Sequence, residues 1–407
     1  MQIQEKAQRI LQQPVCDRCL GRQFAQLLSG FTNEQRGHML RTLVAMSVDK
    51  EHGGGDIDIS NFHGFNFHKL ESKENITRKK CTVCDDVFLN LDKMAEKVAK
   101  AAKKIEFSTF LIGTKISFEL ISREESLWER VGIDYCEPIK AELNREIGKL
   151  VEKKTGGHFS QTPDINFLAS IPDNHVEILI NPLFVYGEYQ KLIRGIPQTR
   201  WPSKKYKTSV EEIMAKPFMA VTKGSGHKLH GLGREDVDAR CLGWRPFVLE
   251  ILSPKKRTLK LSALAKKVAK GIKIRSLRAS NIGEVRAIKE SKAEKTYRAV
   301  VMCDGIRRRD LVHLKSLVAT IRQKTPERVL HRRADKFRSR KVISLKTKYV
   351  NNRKFVMTVT GEAGLYIKEL ISGDNGRTIP SVSSILQQNC ICEELDVLKI
   401  HHKPKKK

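Results

Sequence analysis

The octet Gly233-Arg234-Glu235-Asp236-Val237-Asp238-Ala239-Arg240 sets carboxylates beside arginines at the end of a glycine-spaced loop. An aspartate held between guanidinium groups stays ionised, because opposite charge favours its charged form. Such a carboxylate can serve as nucleophile or base without metal or cofactor. The same pattern also describes a surface ion-pair cluster, which contributes little.

Two further pairs carry chemistry. Cys16/Cys19 and Cys81/Cys84 are C-x-x-C knuckles, and a two-residue gap lets both thiolates address one ion. Two knuckles complete a tetrahedral set, so a structural zinc with no open position is expected. A redox pair would sit in a βαβ pattern, which is not seen here. Cys136, Cys241, Cys303, Cys390 and Cys392 lack matching spacing and read as ordinary thiols.

Several elements must position these groups. Ile3, Ala7, Ile10 and Leu11 predict a first helix, and residues 52–60 a loop. Met94, Val98, Ala101, Ala102 and Ile105 predict an amphipathic helix with lysines on its other face. Phe110–Gly113, Ile116–Leu120 and Val176–Ile180 read as strands, and Lys140–Lys153 as a helix. Pro197, Pro202 and the lysines between 204 and 207 read as a linker. Beyond it, Phe247–Ile251, Ala299–Cys303 and Phe355–Val359 read as strands, and Leu261, Leu264 and Val268 as a helix capped by Gly271.

The expected fold class is α+β. An accessory region spans 1–190, a second domain spans 191–398, and a basic His/Lys tail spans 399–407.

Length and charge limit the partners. At 407 residues two or three domains are expected, and a net charge of +30 exceeds what solubility requires. Such an excess implies a polyanion, because each neutralised phosphate releases a condensed counterion. No apolar run of about 18 residues suggests a membrane span. The first residues, Met1-Gln2-Ile3-Gln4-Glu5-Lys6, lack the apolar core of a signal peptide, so a cytoplasmic place is expected.

Nucleic acid is therefore the expected partner. The run holding Arg307–Arg309, Arg328, His331–Arg333, Lys336, Arg338, Arg340 and Lys341 is its candidate phosphate contact. Gly224, Gly226, Gly231 and Gly233 form neither a P-loop nor a dinucleotide fingerprint, so no nucleotide cofactor is expected.

Four segments complete the reading: Arg194–Trp201; the octet with Leu242–Phe247 after it; Glu294–Ala299; and Gly364–Thr378. In this order they resemble the archaeal and eukaryotic tRNA pseudouridine synthases that modify the T-arm and carry an N-terminal RNA-binding extension. The cysteine knuckles match that family's N-terminal metal site. Asn144–Gly148 and Val185–Tyr189 look like its THUMP-type RNA-binding region.

The resemblance implies isomerisation of uridine at tRNA positions 54 and 55 with a grip on the T-arm and no catalytic cofactor; a monomer is expected. It implies that the domain spanning 191–398 is the catalytic one, with a mixed, mainly antiparallel sheet. It implies Asp236 as the essential carboxylate, with Asp238 the alternative. It implies Tyr297 as the surface on which the flipped base stacks and Lys368 as the basic partner of Asp236. Tyr366 and Lys368 share one face if the backbone is extended there. Tyr366 is a lesser base contact, Arg234 either opens the RNA or pairs with Asp236, and Arg377 meets phosphate or Asp374. One departure is Cys241-Leu242-Gly243-Trp244-Arg245-Pro246-Phe247, shorter than the family's usual stretch, which leaves the geometry of that loop open. Two rivals are a tRNA-binding factor without chemistry and a THUMP-bearing methyltransferase or thiolation enzyme; the second needs a cofactor loop that is not found.

Overall fold

The computed structural model describes residues 2–69, 76–171, 173–201, 203 and 205–402. The expectations for Pro202, Lys204, the Arg332 side chain and the tail beyond 402 lie outside the described residues. The chain divides into two compact units between Asn181 and Pro182.

The first unit opens with helices α1 (Ile3–Ile10), α2 (Asp17–Gly21) and α3 (Asn33–Lys50). Helix α4 (Leu91–Ala102), strand β1 (Thr109–Ile116), helices α5 (Phe118–Val131) and α6 (Ile139–Thr155), and strands β2 (His158–Phe159), β3 (Ile165–Ile171) and β4 (His175–Ile180) follow. The sheet order is β2-β1-β3-β4, with β1 parallel to both neighbours. Met94, Ala95, Val98 and Ala102 form the buried stripe of α4, whereas Ala101 faces out and Ile105 lies past the helix end. Phe110, Ile112, Ile147 and Phe167 join α6 to the sheet in one core.

The strand expected at Ile116–Leu120 is instead a helix start. The Ser117 side chain accepts from Leu120 N and caps α5, so a capping serine within an alternating run outweighs the period-two pattern.

The second unit comprises β5 (Leu183–Lys191), α7 (Val210–Thr222), β6 (Gly226–Gly231), β7 (Arg240–Leu252), α8 (Leu261–Lys266), β8 (Ile272–Ser280), α9 (Ile282–Glu290) and β9 (Glu294–Cys303). It continues with β10 (Thr320–Lys324), β11 (Phe337–Asn351), β12 (Lys354–Gly361), α10 (Ile367–Ser372), β13 (Thr378–Ile379), α11 (Val382–Leu386) and β14 (Cys390–His401). These strands make one sheet ordered β13-β10-β11-β12-β9-β14-β7-β5-β8, with β6 paired to β7. Every pairing is antiparallel except β14 with β7.

Four expectations change here. Val185–Tyr189 lie in β5, between β7 and β8, so they belong to the second unit and the division falls before Pro182 rather than at 190/191. Helix α8 ends at Lys266, short of Gly271. Strand β14 runs through His401, so residues 399–401 are sheet, not tail. The segment after the octet, whose loop geometry the sequence left open, is continuous strand β7. A Cβ at Gly243 would lie 2.8 Å from the Leu398 carbonyl of β14, so glycine there permits the close parallel pairing. Trp244 is stacked under the Arg275 guanidinium, 4.0 Å from its ring centre. Among the described residues, no helix is long and apolar enough to cross a membrane.

Candidate active site

The octet forms the loop leading into β7, and its two adjacent acids have opposite environments. Glu235 is buried, and its carboxylate lies 3.0 Å from Nε of the fully buried Arg245. The Tyr189 hydroxyl sits 3.1 Å from both Glu235 oxygens. Arg245 Nη1 also donates to the Leu232 carbonyl at 2.7 Å. Gln198 donates to the Tyr189 hydroxyl and to the Gly233 carbonyl.

Beyond Glu235 the backbone stays pinned. Lys191 Nζ donates to the carbonyls of Asp236 (3.2 Å) and Val237 (2.9 Å), and Arg194 Nη1 to that of Asp238 (2.7 Å). A main chain held at this many points presents the Asp236 side chain in a fixed direction, as preorganisation requires.

That direction is into a cavity of about 730 Å³. The size is that of a ligand site. Its walls include Gly233–Ala239, Lys295 and Tyr297 of β9, Arg328, His331, Arg333, and Gly364–Lys368. Arg328 Nη1 lies 3.2 Å from Asp236 Oδ1 while its Nε holds Glu369 at 2.6 Å. Burial opposes the Arg328 charge, but Glu369 and Asp236 outweigh it and raise its pKa. Lys368 Nζ is 2.7 and 2.8 Å from the Asp238 oxygens and 3.6 Å from Asp236. Burial works against the Asp238 charge too, yet Lys368 holds that carboxyl below its usual range. Arg328, assigned from sequence to the phosphate-binding run, is thus a closer cation to Asp236 than Lys368.

The remaining expected residues divide. Tyr297 lines the cavity, with burial pushing its phenol up to about 12. Tyr366 caps α10 with extended backbone, but Lys368 is already helical, so the two reach the cavity through a strand-to-helix corner rather than along one strand. The Tyr366 hydroxyl accepts from Arg333 at 2.8 Å. Arg234 is exposed on the cavity rim. Arg377 is not among the lining residues; it donates to the Thr325 carbonyl and pairs with Asp335 and Asp374.

Sequence reasoning missed Glu235, Arg245, Lys295, Trp201 and Tyr206. The last two meet edge to face, 5.3 Å between ring centres, on the cavity wall. Their signal was an aromatic pair within a presumed linker.

In the first unit, the sulfurs of Cys16, Cys19, Cys81 and Cys84 all lie within 4.8 Å of one another, and Cys16 and Cys84 are 3.6 Å apart. Four sulfurs around zinc at about 2.3 Å stand roughly 3.8 Å apart, so this donor set fits the ion. Arg22 Nη1 lies 2.9 Å from Cys19 Sγ, a cation placed to support thiolate charge.

Residues 184–401 match the family described as Pus10, C-terminal, and residues 94–169 the family described as Pus10 THUMP domain, archaeal. The architecture is accordingly a THUMP domain followed by a pseudouridine synthase fold. Asn144–Gly148 fall inside the THUMP match, and Val185–Tyr189 inside the C-terminal one. The chain is 42% identical over 428 residues to the tRNA pseudouridine synthase Pus10 of Methanocaldococcus jannaschii, covering 95% of this chain and 92% of that one. It is 40% identical over 406 residues to the enzyme of the same name from Pyrococcus furiosus, covering 98% of each. The chain belongs to the Pus10 family. Among solved structures, a Cbf5-Nop10-Gar1 complex overlaps 52% of this chain and 47% of that one at a TM-score of 0.32 and 17% identity, which adds nothing to the assignment.

Proposed function

We propose that this chain isomerises uridine to pseudouridine in the T-loop of tRNA, at positions 54 and 55, with Asp236 as the reacting carboxylate. The N1–C1′ bond of the uridine breaks, the ring turns, and a C5–C1′ bond forms; C5 loses a proton and N1 gains one. Nothing is oxidised or reduced, so the reaction needs no redox cofactor. The carboxylate of Asp236 acts as nucleophile or base on the detaching nucleoside. The target sits within folded RNA, so it must be extruded, at a cost of a few kcal/mol. Tyr297 supplies the stacking face for the extruded base and Tyr366 a second contact.

Arg328 and Lys368 hold the charge of the acid cluster. Arg234, with His331 and Arg333 on the cavity wall, faces RNA phosphate, while Arg377 braces its own loop. Asp238 occupies Lys368. The THUMP-bearing unit measures and orients the T-arm. A zinc ion on Cys16, Cys19, Cys81 and Cys84 would be structural, since four thiolates leave no position open. The protein acts as a monomer in the cytoplasm.

The observation that supports this reading most is the division of labour between neighbours. Glu235 is locked beneath the loop by Arg245, while Asp236 is directed into a cationic cavity with its backbone fixed. The test is Asp236→Ala on a full tRNA transcript, with pseudouridine mapped position by position. Loss of pseudouridine with tRNA binding retained is expected. A wild-type chain that leaves the T-loop unmodified overturns the reading.

A further inference from the structure

Lys295 stands on the cavity wall with only 9% of its surface exposed. Among the described residues its ammonium has no hydrogen-bond or ion-pair partner, and its nitrogen keeps access to the cavity. A largely buried lysine without a protein partner is costly, and a methionine would fill the same space without that cost.

The surroundings increase the cost. At Gly233, where φ is +75°, the position a Cβ would take lies 3.2 Å from both Lys295 Nζ and Arg245 Nη1, so two cations press on one glycine. Arg245 has Glu235 as its counterion. Lys295 shares that approach to Gly233 with Arg245, and its partners on β12 and β14, Gly361 and Ile400, carry no charge.

Position suggests what the ammonium is for. Lys295 and Tyr297 are two apart on β9 and share a face. Lys295 Nζ stands beside Gly233, where the octet begins, and Asp236 is further along the same loop, so both reach the wall that Tyr297 lines. A base stacked on Tyr297 with its sugar at Asp236 can then turn its far edge toward Lys295.

We infer that Lys295 donates a hydrogen bond to O4, the carbonyl oxygen of the extruded uracil farthest from the sugar. The inference rests on the function proposed above. When the N1–C1′ bond breaks, its electron pair stays with the ring and is shared through C6, C5 and C4 with O4. Lys295 keeps its proton and meets that developing charge from a largely buried position, where such a donor is more effective than in bulk water. When the C5–C1′ bond forms and the C5 proton leaves, the ring returns to neutrality and the contact weakens.

Burial, reinforced by Arg245, pulls the Lys295 ammonium down to about 8. The charged form, present below that pH, is the useful one. kcat/KM, which reports the free enzyme, should fall as pH rises through about 8. Arginine stays charged across that range, so Lys295→Arg should remove this part of the decline.

The experiment measures pseudouridine formation on a tRNA transcript for wild type, Lys295→Met and Lys295→Arg. Lys295→Met should lower kcat/KM by about 10²-fold, the usual effect of one lost oxyanion donor. Its tRNA affinity should change less than about threefold, because phosphate contacts dominate it. Wild-type rates with an unaffected Lys295→Met overturn the inference alone, and an inactive wild type overturns the functional reading together with it. Loss of tRNA affinity with an unchanged rate once bound makes Lys295 a phosphate contact and also overturns it. If Lys295→Met does not fold, an unaltered basic limb in Lys295→Arg overturns it.

Discussion

Glu235 and Arg245 form an ion pair with neither side chain exposed, directly beneath the residue that faces the cavity. Removing one partner of such a pair strands the other as a buried charge and costs about 3–5 kcal/mol. Arg245→Met should therefore lower the melting temperature of the second unit by on the order of 10 °C. Calorimetry checks this; an unchanged transition would mean that the pair does not anchor the loop.

Arg328 joins Asp236 to Glu369 through two different nitrogens. Arg328→Met should cut single-turnover pseudouridine formation by about 10²-fold. Arg328→Lys should restore little, since one ammonium cannot reproduce the fork. Asp238→Asn should cost far less, because it releases Lys368 without disturbing that fork. Rapid-quench assays on the three variants would give the order.

Tyr297 keeps its proton across the working range, with its phenol near 12. Its face rather than its hydroxyl should matter. Tyr297→Phe should stay within about tenfold of wild type, whereas Tyr297→Leu should lose the roughly 1–3 kcal/mol of base stacking. Comparable losses in the two variants would assign the work to the hydroxyl instead.

The four-cysteine cluster should yield about one zinc per chain on metal analysis of purified protein. Cys84→Ser should lose the metal and lower the melting temperature of the first unit. Metal-free protein with freely alkylated Cys16 would show that the cluster holds no ion.

A net charge of +30 should appear in the salt dependence of tRNA binding. With six phosphates contacted, log affinity should fall against log salt with a slope of about −4 to −5. Filter binding across a salt series measures this, and a slope near −1 would place most of the charge away from the RNA.

Much of this was legible in sequence, and what was not has a common cause. The cysteine knuckles, the long helix periods and the antiparallel strands are local patterns, and they read directly. Which of two adjacent acids faces the cavity is not local. It depends on Arg245 and Tyr189, and Tyr189 lies 46 residues from Glu235. Arg328 looked like one member of a basic run because its partner Asp236 is 92 residues away. The serine before α5 was visible, but an alternating run hid its capping role. The β5 segment was assigned to the wrong unit because its partners, β7 and β8, come later in the chain.

Strand β14 follows every other described strand in sequence yet lies between β9 and β7. Until the ribosome has released it, the nascent unit holds two half-sheets, each with a bare edge open to wrong partners. Asp396 on that strand then gathers Arg194, Arg240 and Arg298, and Arg194 is one of the clamps on the octet. Translation that stops a dozen codons short of this strand's end would therefore leave a sticky, inert fragment, and the cell would never face a half-built enzyme that still reacts.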